Sequence, residues 1–326
     1  MAFLYQRSLV ASARRVIRWC SSGPPWELPN VNPNNFAGRW YEPAYVASFV
    51  LFGIPRLAEE WSPELDAAGY GLRITGVFCH QSPKVEMSRS QWTVDEGECE
   101  LGDLLVVHDH FAEGSTIPTR RAVLAQAKMQ RGKSRLVDNP RQAFLYEHWP
   151  VFRITKPGIF EKRDWNLEDN REGARYAEIT PEARRRYLLL PRSPWALRPC
   201  APAAAGPGSA EDMASFLVSM LDLNGRARRG RPAMTEGDLD DWSALIDEML
   251  RLMKVRDFAD KQLLGRHRGP RLVTRFAGNQ TSAAAFQFVC SGASAGEGGE
   301  GPEPVAPEGA GPGISTVLIE TFIGPD

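Results

Sequence analysis

The chain has 326 residues, 43% of them hydrophobic, and 39 basic side chains against 40 acidic ones give a formal net charge of -1. That length suits one large domain or two ordinary ones. The charge balance excludes a global electrostatic pull toward nucleic acid, so no DNA partner is expected, and no run approaches the ~20 apolar residues of a membrane span, so the chain reads as not transmembrane.

The first acidic residue is Glu27, and before it stand Arg7, Arg14, Arg15 and Arg18. Leu4, Val10, Ala13 and Ile17 recur at helical spacing with the arginines offset from them. An arginine-bearing, acid-free start of this kind predicts an organelle transit peptide over residues 1–26, with mitochondrial localisation and a plastid address as the alternative. Arg14 and Arg15 interrupt the apolar run that a secretory signal would need. Prolines 24, 25, 29 and 33 make residues 27–35 a stiff lead-in.

From residue 36 to 198 the pattern is strand-like. Short runs such as GRWYEPAYVA, YGLRITGVFC, DLLVVHDHF, RRAVLAQAKM and RRYLLLPR alternate with Gly, Pro, Asn and Asp, too closely spaced for a helix between every pair. The expectation is one antiparallel barrel or sandwich. Residues 199–208 are a linker by composition, and 209–290 form a helical extension ending in a hairpin. In it Met213, Phe216, Leu217, Met220 and Leu221 make one helical stripe, with Ser209 as the expected N-cap. Leu239, Trp242, Ile246, Met249, Leu250 and Met253 make a second stripe, after a capping-box-like Thr235 and Asp238. Residues 291–313 are a low-complexity tether, expected to be disordered. Residues 314–326 carry the apolar, β-branched run ISTVLIETFIG, a strand that needs a partner in this chain's sheet or on a neighbour's edge.

Gly38-Arg39-Trp40-Tyr41-Glu42 opens the strand-like region, and an apolar run ending in Arg192-Ser193-Pro194 closes it. An indole at the floor of a small barrel can be capped by a guanidinium, worth ~0.5–2 kcal/mol. The pair GxW and Arg-Ser-Pro resembles the signature of the lipocalins, in the bacterial and apolipoprotein-D-like branch. GKSRLVDNP is similar to a segment that precedes the middle strands in that branch. The resemblance implies an eight-stranded antiparallel lipocalin-like (calycin) barrel over 36–198, with a C-terminal α/β extension. It implies Gly38, Trp40 and Arg192 as structural signature. Alternation along the two strands then places Trp40, Glu42, Ala44, Leu188 and Leu190 on the ligand-lining face. The stretch GECELGDLLVVHDHF has no counterpart in that family.

His108 and His110 stand two apart in a strand, within reach of one metal or haem iron if a third ligand joined them, but the spacing does not demand it, and no metal or cofactor is expected. The five cysteines, Cys20, Cys79, Cys99, Cys200 and Cys290, show no CxxC pair. A disulfide framework or zinc ribbon is therefore excluded in favour of free thiols. RARRGR, Arg226 to Arg231, reads as a solvated basic loop. No nucleophile elbow, P-loop or dinucleotide fingerprint stands in usable context, so the chain is expected to be non-enzymatic. The function so implied is binding of a small hydrophobic molecule (a lipid, isoprenoid or porphyrin) in the barrel. The alternative is an accessory structural subunit of a mitochondrial complex, with a filled barrel and protein partners on the C-terminal extension.

Overall fold

The computed structural model describes residues 2–22, 42–78, 83–87, 97–129, 139–156, 160–168, 170–180, 193–200, 210–221, 223, 229–255, 272–279, 282–290 and 314–323. The helices are α1 (Ala2–Ser22), α2 (Glu42–Ser48), α3 (Ile54–Asp66), α4 (Pro140–His148), α5 (Met213–Met220) and α6 (Asp241–Val255), with a π-turn at Phe49–Gly53 joining α2 to α3. The strands are β1 (Tyr70–Val77), β2 (Lys84–Met87), β3 (Cys99–Glu100), β4 (Leu104–Phe111), β5 (Thr119–Met129), β6 (Phe152–Lys156), β7 (Asp164–Trp165), β8 (Ala174–Ile179), β9 (Trp195–Pro199), β10 (Glu211–Asp212), β11 (Arg231–Ala233), β12 (Leu272–Asn279), β13 (Ser282–Cys290) and β14 (Ser315–Ile323).

These strands do not close into a barrel. The main sheet is open and mixed, in the order β10-β9-β8-β5-β4-β14-β1-β12-β13, with β11 also paired to β5. A smaller sheet runs β3-β2-β6-β7. β14 lies parallel to β4, and β8 parallel to β5, which an up-and-down calycin barrel does not allow. The expected eight-stranded barrel is thereby overturned. The physical reason lies in both ends of the supposed barrel domain. Residues 42–48, expected to be the first strand, are helical, so Glu42 and Ala44 sit on α2. The place beside β1 that a closing strand would take belongs to β14 and β12, from the far end of the chain. Gly38, Trp40, Leu188, Leu190 and Arg192, with the Trp40–Arg192 contact, lie outside the described residues, as does the side chain of Ala44.

Strand alternation gives the main sheet two apolar faces. Leu72, Ile74, Leu104, Val106, Val123, Ala125, Val317 and Ile319 face α1, α2, α3 and α5. Leu105, Val107, Leu124, Tyr176 and Leu318 face α4, α6 and the small sheet. Helices, sheet and a second helix-and-sheet layer thus enclose β4 and β14, which are buried nearly end to end.

α1 belongs to this core. Leu9, Ala13, Val16, Ile17 and Cys20 follow one helical stripe and are buried. The Trp61 indole donates to the Leu9 carbonyl at 3.1 Å, and Arg14 pairs with Asp212 at 2.9 Å. The stripes of α5 and α6 are buried too, but their caps differ from expectation. Asp212 caps α5 by accepting from the Ser215 N–H at 3.3 Å, and Asp240 accepts from the Ser243 N–H at 2.8 Å at the start of α6. Among the described residues no helix is long and apolar enough to cross a membrane.

Candidate functional site

β4 and β5 form a hairpin in which Leu104 pairs with Ala125, so β5 runs on past the point where β4 begins. The N–H groups of Ala127 and Met129 on this overhang have no β4 carbonyl to meet. Two carboxylates take them. Asp103 accepts from the Ala127 N–H at 2.8 Å while donating its own N–H to the Ala125 carbonyl at 3.0 Å. Glu42, at the first turn of α2, accepts from the Met129 N–H at 3.0 Å. Between them the Gln126 side-chain amide donates to Asp103 Oδ2, the same oxygen that takes the Ala127 N–H.

Gln126 and Lys128 are two apart on β5 and share a face of the sheet. Gln126 is buried, and its Oε1 has no hydrogen-bond partner among the described residues. A buried amide oxygen without a donor is uncommon enough to need an explanation. Burial, together with the charges of Glu100 and Glu42, pushes the Asp103 carboxyl up to about 7, although Lys128 and the Ala127 N–H act in the opposite sense. A buried carboxyl group shifted in this way, with other charged side chains near it, marks a functional-site candidate.

The segment before Asp103 is held from α4. The Asn139 side chain caps that helix, accepting from the N–H groups of Arg141 and Gln142 at 3.0 and 3.3 Å. One turn apart on its inner face, Gln142 donates to the Glu100 carbonyl at 3.4 Å and Tyr146 to the Leu101 carbonyl at 2.8 Å. Gly102 is squeezed between: a Cβ there would lie 2.8 Å from Leu124 Cδ1 and 2.9 Å from the Tyr146 hydroxyl. A side chain here would have to displace Leu124 and the Tyr146 hydroxyl, so glycine suits the close passage past α4 that delivers Asp103 to the end of β5.

No family model, no curated protein and no solved structure matches this chain.

Of the positions named from the sequence, Glu42 alone falls in this cluster, as a helix residue and not as a lining position on a strand. His108 and His110 are buried in the middle of the sheet, where His108 Nε2 and His110 Nδ1 each lie 2.9 Å from Thr321 Oγ1 of β14. Among the described residues no group of three or more His, Cys, Asp or Glu side chains could hold a metal ion. Arg229 and Arg231 of the basic run pair with Glu211 and Asp240. Asp103, Gln126 and Lys128 were passed over in the sequence. The signal was the hairpin register: the chain reverses between His110 and Thr119, which sets Asp103 opposite Gln126.

Proposed function

We propose that Glu42, Asp103, Gln126 and Lys128 form the centre of a hydrolase that uses a divalent cation to cleave phosphodiesters. The observation that carries this reading is that two carboxylates take the successive outward N–H groups at the end of β5, with Gln126 bonded to one of them and its Oε1 without a partner among the described residues, and Lys128 on the same strand face as Gln126. The donors are all oxygen, and two are carboxylates. That set suits Mg²⁺ or Mn²⁺, which take one or two protein carboxylates and complete their shell with water and substrate phosphate, and it does not suit zinc. Asp103, Glu42 and Gln126 Oε1 would hold the ion; once bound it supplies Lewis-acid activation of the phosphoryl group and of an attacking water.

The remaining steps fall to the chain's own groups. The Lys128 ammonium is a point charge for the non-bridging oxygens and holds a proton that the leaving oxygen can take. Asp103 is fixed by its bonds from the Ala127 N–H and the Gln126 amide, so its free oxygen lone pairs have a set direction. In this reading water attacks, and the Cys99 thiol does not compete with it, since burial and the nearby Glu100 push it up to about 12. The expectation of no DNA partner came from net charge, which governs long-range steering and leaves local phosphate contacts open.

The test uses the full chain with Mg²⁺ or Mn²⁺ on labelled DNA, labelled RNA and bis(p-nitrophenyl) phosphate. The expected result is cation-dependent cleavage that chelation abolishes, with Lys128→Ala and Asp103→Ala each slowing it by about 10³-fold. Absence of cleavage on all three substrates with both metals, or full activity in Asp103→Ala, overturns the reading.

A further inference from the structure

On the side of β5 away from β4 run β8 and then β9. β8 pairs in parallel with β5, setting Tyr176 beside Gln126 and Glu178 beside Lys128. β9 pairs antiparallel with β8, setting Arg198 beside Tyr176 and Ala196 beside Glu178. Leu124 and Tyr176 face α4 and the small sheet, whereas Ala127, Ala177 and Leu197 face the other layer. Alternation therefore puts Gln126, Lys128, Glu178 and Arg198 on the face that carries Tyr176. Gln126 donates to Asp103, so one polar row crosses the sheet from Asp103 through Gln126 and Tyr176 to Arg198.

This row offers more polar atoms than the fold uses. Gln126 Oε1 and Tyr176 Oη, on neighbouring strands, both lack a partner among the described residues. Arg198 donates from Nε to Glu178, which is buried. That bond uses one edge of the guanidinium. Its two Nη groups bond to no described residue, and the side chain is 29% exposed, so the fork can be reached by an oxyanion. The Tyr176 ring, stacked on Tyr146 with centroids 5.2 Å apart, gives the row a rigid floor. Charge along the row is ordered. The carboxylates of Asp103 and Glu42 stand at the β4 side of β5, Lys128 stands on β5 itself, and Arg198 stands two strands beyond. Two steps at about 4.8 Å put β9 roughly 10 Å from β5. That spacing suits two phosphates, one beside the carboxylates and Lys128 and one at Arg198.

We infer that Arg198, aimed by Glu178, binds a second phosphate of the substrate, one linkage from the scissile diester, so that the substrate is an oligonucleotide and not a diester with a single phosphate. The inference deepens the hydrolase reading and rests on it for which phosphate is cleaved; the binding itself rests on the row. Two non-bridging oxygens of the second phosphate accept from the two Nη groups, a fork that a guanidinium offers and an ammonium does not. Glu178 fixes the direction of the fork, and its own charge weakens the phosphate's hold. A substrate such as bis(p-nitrophenyl) phosphate leaves Arg198 unused.

The experiment is competition binding on the full chain, with a labelled single-stranded oligonucleotide as probe and Ca²⁺ in place of Mn²⁺ so that the probe is bound and not turned over. The competitors are a dinucleotide with one phosphate and the same dinucleotide with an added terminal phosphate. The quantity read is the ratio of their affinities, which a general loss of folded protein does not change. The terminal phosphate should improve competition roughly 10-fold in the parent and less than about twofold in Arg198→Gln. The slope of log affinity for the probe against log salt should fall by about 0.7 in that variant. Glu178→Gln keeps an oxygen for Nε and removes the competing charge, so the benefit of the terminal phosphate should grow; this variant decides the matter if Arg198→Gln does not fold. No benefit in the parent, an equal benefit in Arg198→Gln, or an unchanged or smaller benefit in Glu178→Gln overturns the inference. Should the benefit depend on Arg198 while even the parent cleaves no diester with Mn²⁺, the subsite stands and the hydrolase reading falls. Should the parent cleave bis(p-nitrophenyl) phosphate while Arg198→Gln keeps the full benefit, the hydrolase reading stands and the subsite falls.

Discussion

Asp103 is placed where its charge is expensive. Its ordinary value is 3.8, and in the folded chain burial and the neighbouring acids push it up to about 7. Between those values the native state holds a proton that the unfolded chain has released, so stability falls as pH rises through that window. The strain reaches up to about 4 kcal/mol above pH 7 in the absence of a cation, less whatever the partial exposure of the side chain relieves. Asp103→Asn keeps an oxygen for the Ala127 N–H and the Gln126 amide and loses the charge. It should therefore be more stable than the parent in urea at pH 8 and equal to it near pH 4, while losing hydrolysis. A variant that is less stable at pH 8 would contradict this account of the site. The thiols give a second residue-scale expectation. Burial pushes Cys20 as well as Cys99 up to about 12, so neither should react with a thiol reagent at pH 8 until the chain unfolds.

At the scale of elements, the polar row across the sheet separates a costly pair from a cheap one. Arg120 is buried between Asp109 of β4 and Asp247 of α6. Burial works against its charge, yet the bonds to Asp109 and the charge of Asp247 raise its pKa above the ordinary value. Asp109→Ala leaves a buried guanidinium half-compensated and should cost roughly 3–5 kcal/mol in urea unfolding. Arg73 is 48% exposed, and its pairing with Glu320 is screened by water, so Arg73→Ala should cost no more than about 1 kcal/mol. α1 gives a related test. Ile17→Ala opens a void in the core and should cost about 2–5 kcal/mol, and removal of residues 2–22 should abolish cooperative unfolding. The helical stripe in this segment was legible, as were the stripes of α5 and α6, because a 3.6-residue period survives in any context. What the stripe packs against was not legible, since arginines offset from an apolar face suit both a transit peptide and a core helix with an exposed side. GRWYEPAYVA misled for the opposite reason. Aromatic and β-branched residues favour strands, but Glu42 to Ser48 lie over a sheet face that accepts a helix, and tertiary packing overrode propensity. The need of the last apolar run for a partner was legible from its hydrophobicity. Its place between β1 and β4 was not, because register is fixed by contacts about 200 residues or more away in sequence, Thr321 with His108 among them. The site is illegible for a similar reason: Asp103 and Lys128 carry no spacing motif, and the strand pattern of the hairpin that joins them suits a barrel as well as an open sheet.

Across the whole molecule, cation binding, protonation and stability are linked through Asp103. A ligand that binds only the folded state stabilises it by RT ln(1 + [L]/Kd), or about 2.7 kcal/mol at a hundredfold excess over Kd. A divalent ion held by Asp103 and Glu42 must first displace the proton that Asp103 carries below about 7. Apparent affinity for the ion should consequently rise with pH up to that point and level off above it, with release of up to one proton per ion bound near pH 6. Stabilisation at a fixed Mn²⁺ concentration should follow the same course, larger at pH 8 than at pH 5.5. The near-zero net charge makes the local site the dominant source of this effect, since a chain at -1 attracts no diffuse shell of divalent ions. Two measurements check it: thermal unfolding with Mn²⁺ or chelator at both pH values, and calorimetry in buffers of different ionisation enthalpy to count protons. Lys128→Ala removes a positive charge beside the carboxylates, so it should bind Mn²⁺ at least as tightly as the parent and fail only in cleavage. Weaker Mn²⁺ binding in that variant would mean that the lysine shapes the site instead of acting on the phosphate, and the division of labour between carboxylates and ammonium would have to be abandoned.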